Sequence, residues 1–396
     1  MRILDIHNRY LNRGGEDESF DAEVRMLREG GEDVEEFVVD NRSAGRLDTI
    51  RGALRTIWNP DTPRRVEAIC RQFHPDVAVV HNFFPLVSPT VYRGCARAGV
   101  PVAQHIENYR LFCPVAVFHR AGHVCEDCLG WPLALPGVVH RCYRRSFAAS
   151  LTVALMSGLH RALGTWRRAV DRYIAVSEFT RQKCVAGGLP PGKLCVKPNF
   201  VHPEPRTGDG AEGYVLFVGR LVREKGLETL LDAWMAGVPG TALKIVGDGP
   251  EEARLKAQTE GRHGIGWLGR QTAERTSELM AKAAVLVFPT LLYETFGRVV
   301  IEAYARGTPV IASRIGAVAE LVEERRTGYL FPPGDTAALA GLLRQFFALP
   351  AERRLAMRAA ARSAYEAKYT PARNYVHLME ILESLVSAKR SEAASP

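Results

Sequence analysis

The sequence lacks a long hydrophobic run. No stretch of its 396 residues reaches the roughly 18 uninterrupted apolar residues of a membrane-spanning helix. Its start, Met1-Arg-Ile-Leu-Asp5, is typical of a β-strand and not of a secretory signal peptide. Short internal repeats and low-complexity tracts are also absent. With 46% hydrophobic and 24% charged residues, the composition indicates a packed α/β enzyme. The lack of a spanning segment and of a signal peptide predicts a cytoplasmic location.

The chain is long enough for two domains. Its 396 residues exceed what one core usually supports. Apolar strands alternate with helices on both sides of a Pro- and Gly-rich segment, which predicts α/β domains with doubly wound parallel sheets. We expect one Rossmann-like domain over 1–199, a linker over 200–213, a second Rossmann-like domain over 214–370, and a final helix within 371–396.

The centre of the second domain is predicted to be a βαβ unit. The strand Val285–Pro289 is followed by a turn, a helix that opens near Thr295, and the strand Pro309–Ser313. Free N–H groups at a helix start favour an anionic ligand at such a turn. Glu294 lies at the turn and Glu302 roughly 12 Å along the helix, which suits one ligand with two ends. The alternative is a solvated pair of glutamates on an exposed face.

Glycine-containing loops follow other predicted strands. The loop Asn12–Asp17 contains Gly14 and Gly15, and the basic loop Gly219-Arg220-Leu-Val-Arg-Glu-Lys225-Gly226 opens a helix. Arginine and lysine neutralise a diphosphate while backbone N–H groups position its oxygens. Each of these loops is, by itself, also typical of an ordinary turn.

The combination of these motifs resembles a known enzyme family. Gly14-Gly15, Gly219-Arg220…Lys225-Gly226, Gly247-Asp-Gly-Pro and Glu294-x7-Glu302 together are similar to the signature of retaining nucleotide-sugar glycosyltransferases of family 4, also called group 1. The resemblance covers nearly the whole chain and implies the GT-B fold, in which two Rossmann-like domains face each other across a cleft. It also implies that the final helix crosses back onto the first domain.

The resemblance implies the reaction and its donor site. A sugar would pass from a nucleoside diphosphate, with UDP the commoner nucleotide in the family, to a hydroxyl group without a metal cofactor. The absence of an Asp-x-Asp motif at a strand end agrees with metal-independent chemistry. The implied donor-binding residues are Gly15, Gly219, Arg220, Lys225, Gly247, Arg270, Glu294, Thr295, Phe296, Gly297 and Glu302. The implied catalytic residues are Arg220, Lys225 and Glu294, and Glu107 is a further candidate.

The acceptor side departs from the family pattern. The segment His105-Ile-Glu107-Asn108-Tyr109-Arg110 closes a strand, and Glu107 stands where many relatives have histidine. Glu107 could accept hydrogen bonds from sugar hydroxyl or amino groups, which we favour, or act as a base or transient nucleophile. A degenerate, less active site is the third reading. His105 could supply the missing imidazole from the same strand face.

Four of the eight cysteines cluster in an insert over 108–145. Cys-x2-Cys with single cysteines on each side is typical of a structural zinc site. The predicted ligands are Cys113, Cys125, Cys128 and Cys142. Reduced, apolarly packed thiols are the alternative, since a cytoplasmic location disfavours disulfides.

The chain is basic, with a formal net charge of +8, which suggests an anionic partner. Seven arginines between His140 and Arg172 face a single acid, Asp171. They surround the apolar segment Phe147–Leu159, which is too short to span a bilayer but able to lie on an anionic membrane surface. A core helix with exposed arginines is the alternative. We therefore consider peripheral attachment at the inner membrane face.

Three functions follow from these features. The first is a glycosyltransferase with a carbohydrate or lipid-linked acceptor, which relatives with a similar cysteine insert imply. The second is a catalytically weak protein that binds nucleotide sugars, which the Glu107 departure permits. The third is a basic nucleic-acid-binding protein, but the sequence lacks a recognisable module and interleaved surface aromatics, so we predict no nucleic-acid partner.

Overall fold

The computed structural model describes residues 1–11, 13–43, 50–237 and 240–394. For residues 43 and 392–394 it describes the backbone alone. The chain forms two compact units. Unit 1 contains residues 1–118, 125–199 and 372–396, and unit 2 contains residues 119–124 and 200–371. Asn12, the first residue of the predicted glycine loop, and the end of the predicted final segment at 395–396 lie outside the described residues.

Unit 1 contains a six-stranded parallel sheet with the order β2-β1-β3-β4-β7-β8. Its strands are β1 (Arg2–Arg9), β2 (Asp33–Asp40), β3 (Val77–Asn82), β4 (Val102–Ile106), β7 (Arg172–Ala175) and β8 (Leu194–Val196). The two-stranded hairpin of β5 (His119–Arg120) and β6 (His123–Val124) is grouped with unit 2. β1 is buried on both faces, as a central parallel strand requires.

Helices connect the strands of unit 1. They are α1 (Gly15–Glu29), α2 (Ile50–Ile57), α3 (Asp61–Phe73), α4 (Val91–Arg97), α5 (Leu135–Val139), α6 (Phe147–Ala162), α7 (Thr165–Arg168) and α8 (Glu178–Ala186). Serines begin two of them, since the Ser146 hydroxyl accepts from the Ala149 N–H and the Ser177 hydroxyl from the Thr180 N–H. Most of α16 (Pro371–Ala394) also belongs to unit 1.

Unit 2 contains a second six-stranded parallel sheet, with the order β11-β10-β9-β12-β13-β14. Its strands are β9 (Val215–Val218), β10 (Leu243–Val246), β11 (Ile265–Gly269), β12 (Val285–Phe288), β13 (Val310–Ser313) and β14 (Gly328–Phe331). Its helices are α9 (Leu227–Met235), α10 (Glu252–Gln258), α11 (Ala273–Lys282), α12 (Arg298–Ala305), α13 (Val318–Leu321), α14 (Thr336–Ala348) and α15 (Ala351–Lys368). This strand order is that of a doubly wound dinucleotide-binding sheet.

The prediction of two doubly wound parallel sheets is confirmed, and some element boundaries are corrected. The helix expected to open near Thr295 begins at Arg298, because Gly297 caps it in the left-handed conformation. The final helix, expected within 371–396, extends from Pro371 to Ala394. Strand β14 is an addition to the predicted elements, and its apolar residues follow the charged turn after α13.

The structure contains no helix, among the residues it describes, that is both long and apolar enough to span a bilayer.

Candidate functional site

Loops at the carboxyl ends of three strands of unit 2 are joined by backbone hydrogen bonds. The Leu221 N–H donates to the Asp248 carbonyl at 2.7 Å, which ties the loop after β9 to the loop after β10. The Leu291 N–H donates to the Glu224 carbonyl at 2.8 Å, which ties the first loop to the one between β12 and α12. The loops that the sequence predicted as donor-binding therefore lie together at this edge of the sheet.

Two glycines permit this close approach. Gly226 has φ +69°, and a Cβ atom there would lie 1.8 Å from the carbonyl oxygen of Pro289. Gly247 has φ +139°, and its Cβ would lie 1.9 Å from the carbonyl oxygen of Gly219. Any other residue would push these loops apart, so both glycines are required by packing as well as by backbone conformation.

Lys225 and Glu294 form an ion pair in this site. Nζ of Lys225 lies 2.5 Å from Oε1 of Glu294, and the Thr290 hydroxyl donates to the same oxygen at 3.1 Å. Both partners of the ion pair remain partly accessible. Sequence reasoning placed both residues in the site but did not find Thr290, which carries no distinctive motif.

Two arginines at the same edge are exposed and form no ion pair within the part of the chain that the structure describes. Arg220 follows β9 and Arg270 follows β11, where the Gly269 carbonyl accepts from the Gly247 N–H at 2.9 Å. An unpaired guanidinium is free to bind an anion with two parallel hydrogen bonds.

The start of α12 lies after Glu294. Gly297 is its N-cap, and the Arg298 guanidinium is 3.5 Å from the Glu302 carboxylate, one turn along the helix. Phe296 is buried and packs edge-on against Tyr369, with ring centroids 6.0 Å apart. The Phe296 side chain therefore stabilises the loop, while Thr295 and Gly297 remain the backbone candidates for contact with a ligand.

The other predicted site residues lie in unit 1. Gly15 is exposed at the start of α1. The Asn108 amide donates to Glu16 at 3.0 Å, and the Tyr10 hydroxyl donates to the same carboxylate at 2.9 Å. Glu107 is partly buried beside Asn108. The sequence did not single out Glu16, whose position just after the glycine pair was the available signal.

Two of the predicted acceptor-side residues, His105 and Tyr109, lie in the interior, and Arg110 packs against an aromatic ring. His105 is buried, with Nε2 3.0 Å from Oε1 of Glu23, so it faces the interior and does not substitute for the missing family histidine. Tyr109 is fully buried, and its hydroxyl is 3.3 Å from that of Thr180. The Arg110 guanidinium lies over the Phe84 ring at 4.4 Å. The first two are core residues because they lie on the packed face of unit 1.

Ionisable side chains fill one face of the sheet in unit 1, beneath α1. We call this group the polar core; it consists of the buried residues Asp5, His7, Asp17, Glu23, His81, His105 and Lys197. Oε1 of Glu23 lies 3.4 Å from Nε2 of His81, and Oε2 accepts from the Lys197 ammonium at 2.9 Å. Lys197 also donates to the amide oxygen of Asn374 on α16 at 2.8 Å. The polar core therefore links α1, the sheet and α16.

The charges of the polar core are coupled through Glu23. Burial opposes ionisation of Glu23, but the Lys197 ammonium and hydrogen bonds with His105 and His81 outweigh it and hold the Glu23 pKa well below its usual value. Burial also disfavours charge on His81, yet Asp5 and Glu23 raise its pKa to about 10. Burial lowers the pKa of His105 to about 4, so it is neutral at pH 7. Lys197 and protonated His81 are thus the two cations that face the Glu23 carboxylate.

Glu23, His81 and His105 are the one set of three potential metal ligands whose donor atoms lie within 4.8 Å of one another in the described residues. The two imidazole rings are stacked, with centroids 4.4 Å apart and planes inclined by 13°. Imidazole lone pairs lie in the ring plane, so two stacked rings do not direct both pairs at one ion. The geometry favours a charge network over a metal site.

The four cysteines predicted to bind zinc lie in one region of unit 1. Cys113 and Cys128 are buried, and Cys125 and Cys142 are partly buried. The Gly137 N–H donates to Sγ of Cys128 at 3.2 Å. Burial raises the pKa of Cys128 to about 12, with smaller contributions from the other three thiols. The other three thiols are near enough to Cys128 to affect its pKa, but the described residues contain no set of three of these sulfurs within 4.8 Å of one another.

Sequence comparisons relate the chain to sugar transferases. The family description "Glycosyl transferases group 1" matches residues 203–364. A GDP-mannose-dependent alpha-mannosyltransferase of Mycobacterium tuberculosis is 32% identical over 326 residues, which cover 74% of this chain and 81% of that protein. A phosphatidyl-myo-inositol mannosyltransferase of Mycobacterium leprae is 33% identical over 231 residues, or 54% of this chain; the chain spans only 59% of that relative's length.

Solved structures share the fold across nearly the whole chain. HepE of Anabaena, in complex with UDP, matches with a TM-score of 0.70 and 18% identity over 97% of this chain and 100% of that one. The sucrose-phosphate synthase of Thermosynechococcus elongatus matches with a TM-score of 0.72 and 20% identity, covering 98% of this chain and 99% of that one.

Proposed function

Because this chain belongs to the group 1 glycosyltransferases and has their GT-B fold, we propose that it is a retaining enzyme that moves a sugar from a nucleoside diphosphate. The acceptor is a hydroxyl group of a carbohydrate or a lipid-linked carbohydrate. The observation that carries this proposal is the donor edge of unit 2, where Arg220, Lys225 and Glu294 lie on loops that are tied together.

The donor edge suits departure of a diphosphate. As the bond between the anomeric carbon and the diphosphate breaks, negative charge grows on the leaving oxygens. The unpaired Arg220 guanidinium and the Lys225 ammonium stabilise that charge, together with the N–H groups at the start of α12. The Glu294 carboxylate positions Lys225 and accepts hydroxyl hydrogen bonds from the transferred sugar. No metal is needed for these roles.

UDP and GDP are the two nucleotides that we consider. UDP is the commoner nucleotide in the family, and the HepE structure contains it. GDP-mannose is favoured by the name of the M. tuberculosis relative, which matches most of this chain. We propose UDP first and GDP-mannose as the second candidate.

A thermal-shift panel of UDP-, GDP- and dTDP-sugars tests the proposal. A donor at 100 times its dissociation constant stabilises the folded protein by about 2.7 kcal/mol. We expect a shift with one nucleotide class, and slow hydrolysis of that nucleotide sugar without acceptor. A shift without hydrolysis or transfer would instead support a catalytically silent nucleotide-sugar-binding protein. No shift with any nucleotide would reject both.

Glu107 is the residue whose role is least constrained. Glu107 is partly buried and precedes Asn108. We prefer the role in which its carboxylate accepts hydrogen bonds from sugar hydroxyl or amino groups. Replacing it, Glu107→Gln, keeps the shape but removes the charge. Unchanged turnover would dismiss every catalytic reading of Glu107, whereas a raised KM with unchanged kcat would support a binding role.

We also propose a structural zinc ion held by Cys113, Cys125, Cys128 and Cys142. Bound zinc would keep the thiols ionised, and the N–H bond to Cys128 is typical of support for a thiolate ligand. The ion would stabilise the insert and take no part in transfer.

Protein purified without chelator should contain one zinc per chain, and Cys128→Ser should lose it. Cys184→Ser, which changes a buried cysteine elsewhere in unit 1, is the control. Well under one zinc per chain would reject the site.

A further inference from the structure

Large apolar side chains are exposed in one part of unit 1. Twelve such side chains are exposed in the described residues, and seven of them lie between positions 131 and 163. They are Trp131, Leu135, Val139, Phe147, Leu155, Leu159 and Leu163. Both α2 and α5 pack against α6, and α2 adds exposed Ile50 and Leu54. This concentration is unusual, because exposed apolar residues on a monomeric protein are normally scattered.

The exposed residues of α6 form a continuous stripe. Ala148, Leu155, Leu159 and Ala162 are exposed at helical spacing, with Thr152 partly exposed among them. The opposite face of α6, including Val153 and Ser157, is buried against the body of unit 1. A surface helix normally has charged residues on its outer face, whereas the outer face of α6 has none between Phe147 and Leu159.

Arginines lie at both ends of the stripe. Arg141 and Arg145 precede α6, and Arg167 and Arg168 follow it on α7. All four are exposed, and none forms an ion pair with any residue that the structure describes. An apolar helix face between unpaired cations is typical of a segment that lies in the interface of an anionic bilayer.

We infer that this surface, which we call the α6 face (Trp131–Arg168), binds the surface of a membrane that contains anionic lipids. The leucines would enter the headgroup boundary and the four arginines would contact lipid phosphates. A second copy of the chain is a poorer occupant, since a twofold contact through the α6 face would bring the same unpaired arginines together. The inference is independent of the transfer reaction, because it uses no residue of the donor edge.

Vesicle flotation of the full chain tests the inference. The protein should float with vesicles of phosphatidylglycerol and phosphatidylcholine, and stay in the soluble fraction with phosphatidylcholine alone. Added salt should weaken the binding. Equal binding to both vesicle types, or no binding to either, would overturn the inference. Flotation needs no nucleotide sugar, so its failure would leave the proposed transfer intact.

Matched variants locate the contact. Leu155→Glu/Leu159→Glu should abolish flotation, whereas Leu355→Glu, at an exposed leucine on α15, should not. Arg145→Ala/Arg168→Ala should weaken partitioning about thirtyfold, since each cation near an anionic surface contributes about 1 kcal/mol. Arg262→Ala/Arg353→Ala removes two exposed arginines of unit 2 as the control.

Two further measurements establish whether each variant folds and whether the protein forms a dimer. Circular dichroism and the nucleotide thermal shift should be unchanged in every variant, which shows that each one folds. Sedimentation should give a monomer in the absence of vesicles. A dimer that the double glutamate variant dissociates would identify a second copy as the occupant and overturn the membrane assignment.

Discussion

The two sheets have the same architecture but handle charge in opposite ways. In unit 1 the charges are inside, where Glu23, Lys197 and His81 compensate one another without solvent. In unit 2 an apolar core that includes Phe217, Leu243 and Val287 packs against the sheet. The charged residues of the donor edge lie on loops at the carboxyl ends of its strands. The Arg220 guanidinium on one of these loops has no ion-pair partner within the described residues.

The buried charges of unit 1 stabilise the fold, whereas the exposed charges at the donor edge are those that the proposed function assigns to ligand binding. A buried ion network must be satisfied by the protein itself, because removal of one member leaves another desolvated and unpaired. An unpaired cation on an exposed loop contributes little to stability and is available to an anion. Substitutions in unit 1 should therefore affect folding, and substitutions at the donor edge should affect turnover.

The largest effect is expected at Glu23. Glu23→Gln leaves Lys197 and His81 buried without their shared carboxylate and should lower the free energy of unfolding by about 3–5 kcal/mol. Urea unfolding measures this change. Glu36→Gln, which breaks the partly exposed pair with Arg28 at 2.8 Å in the same unit, should cost less than about 1 kcal/mol. Equal losses in the two variants would contradict the distinction between buried and exposed charges.

Arg220 tests the opposite case. Arg220→Ala should lower kcat/KM for the nucleotide sugar by about 10²–10³-fold, because it removes one stabilising donor from the leaving diphosphate. The free energy of unfolding should change by no more than about 0.5 kcal/mol. Arg262→Ala, at another exposed arginine of unit 2, should change neither quantity. If Arg220→Ala kept full activity, the donor edge would need a different assignment.

Gly226 tests whether the donor edge depends on close backbone approach. Gly226→Ala places a methyl group 1.8 Å from the Pro289 carbonyl oxygen and should destabilise unit 2 by about 1–3 kcal/mol. Gly213 is a matched control, because its φ is also +69° but a Cβ atom there would have no atom of the described residues within 4 Å. The difference between the two alanine variants isolates the contact from the backbone strain, and similar melting temperatures would argue against the tight loop.

The smallest expected effect is a pH dependence of stability that is larger in unit 1 than in unit 2. The folded pKa of His105 is depressed to about 4 and that of Glu23 is also depressed, so their contributions to stability are lost as the pH falls below about 6.5 and then below 4.5. The folded pKa of His81 is raised to about 10, so its contribution is lost as the pH rises from 6.5 through 10.

Hydrogen exchange with mass spectrometry can resolve the two units in the same sample. After correction for the intrinsic exchange rate, peptides from β1, β3 and β4 should lose protection at pH 5 relative to pH 7. Peptides from β9, β10 and β12 should lose less, because their core is apolar. A larger loss of protection in the sheet of unit 2 would contradict the comparison.

Local patterns in the sequence determined much of the fold. The two strands of the predicted βαβ unit, Val285–Pro289 and Pro309–Ser313, form within one residue of their expected bounds, because short apolar runs act over a few residues. The glycine and basic residues of the donor loops also follow strand ends, which parallel topology places at one edge.

Only the tertiary structure decided which side chains meet. Lys225 and Glu294 are 69 positions apart, and Glu23 and Lys197 are 174 apart, so their pairing depends on which strands become neighbours. For the same reason His105 and Tyr109 proved to be interior residues, although their segment suggested a ligand-facing edge. A strand's sequence specifies that its side chains alternate between two faces, but the helices that pack on each face determine which one is buried.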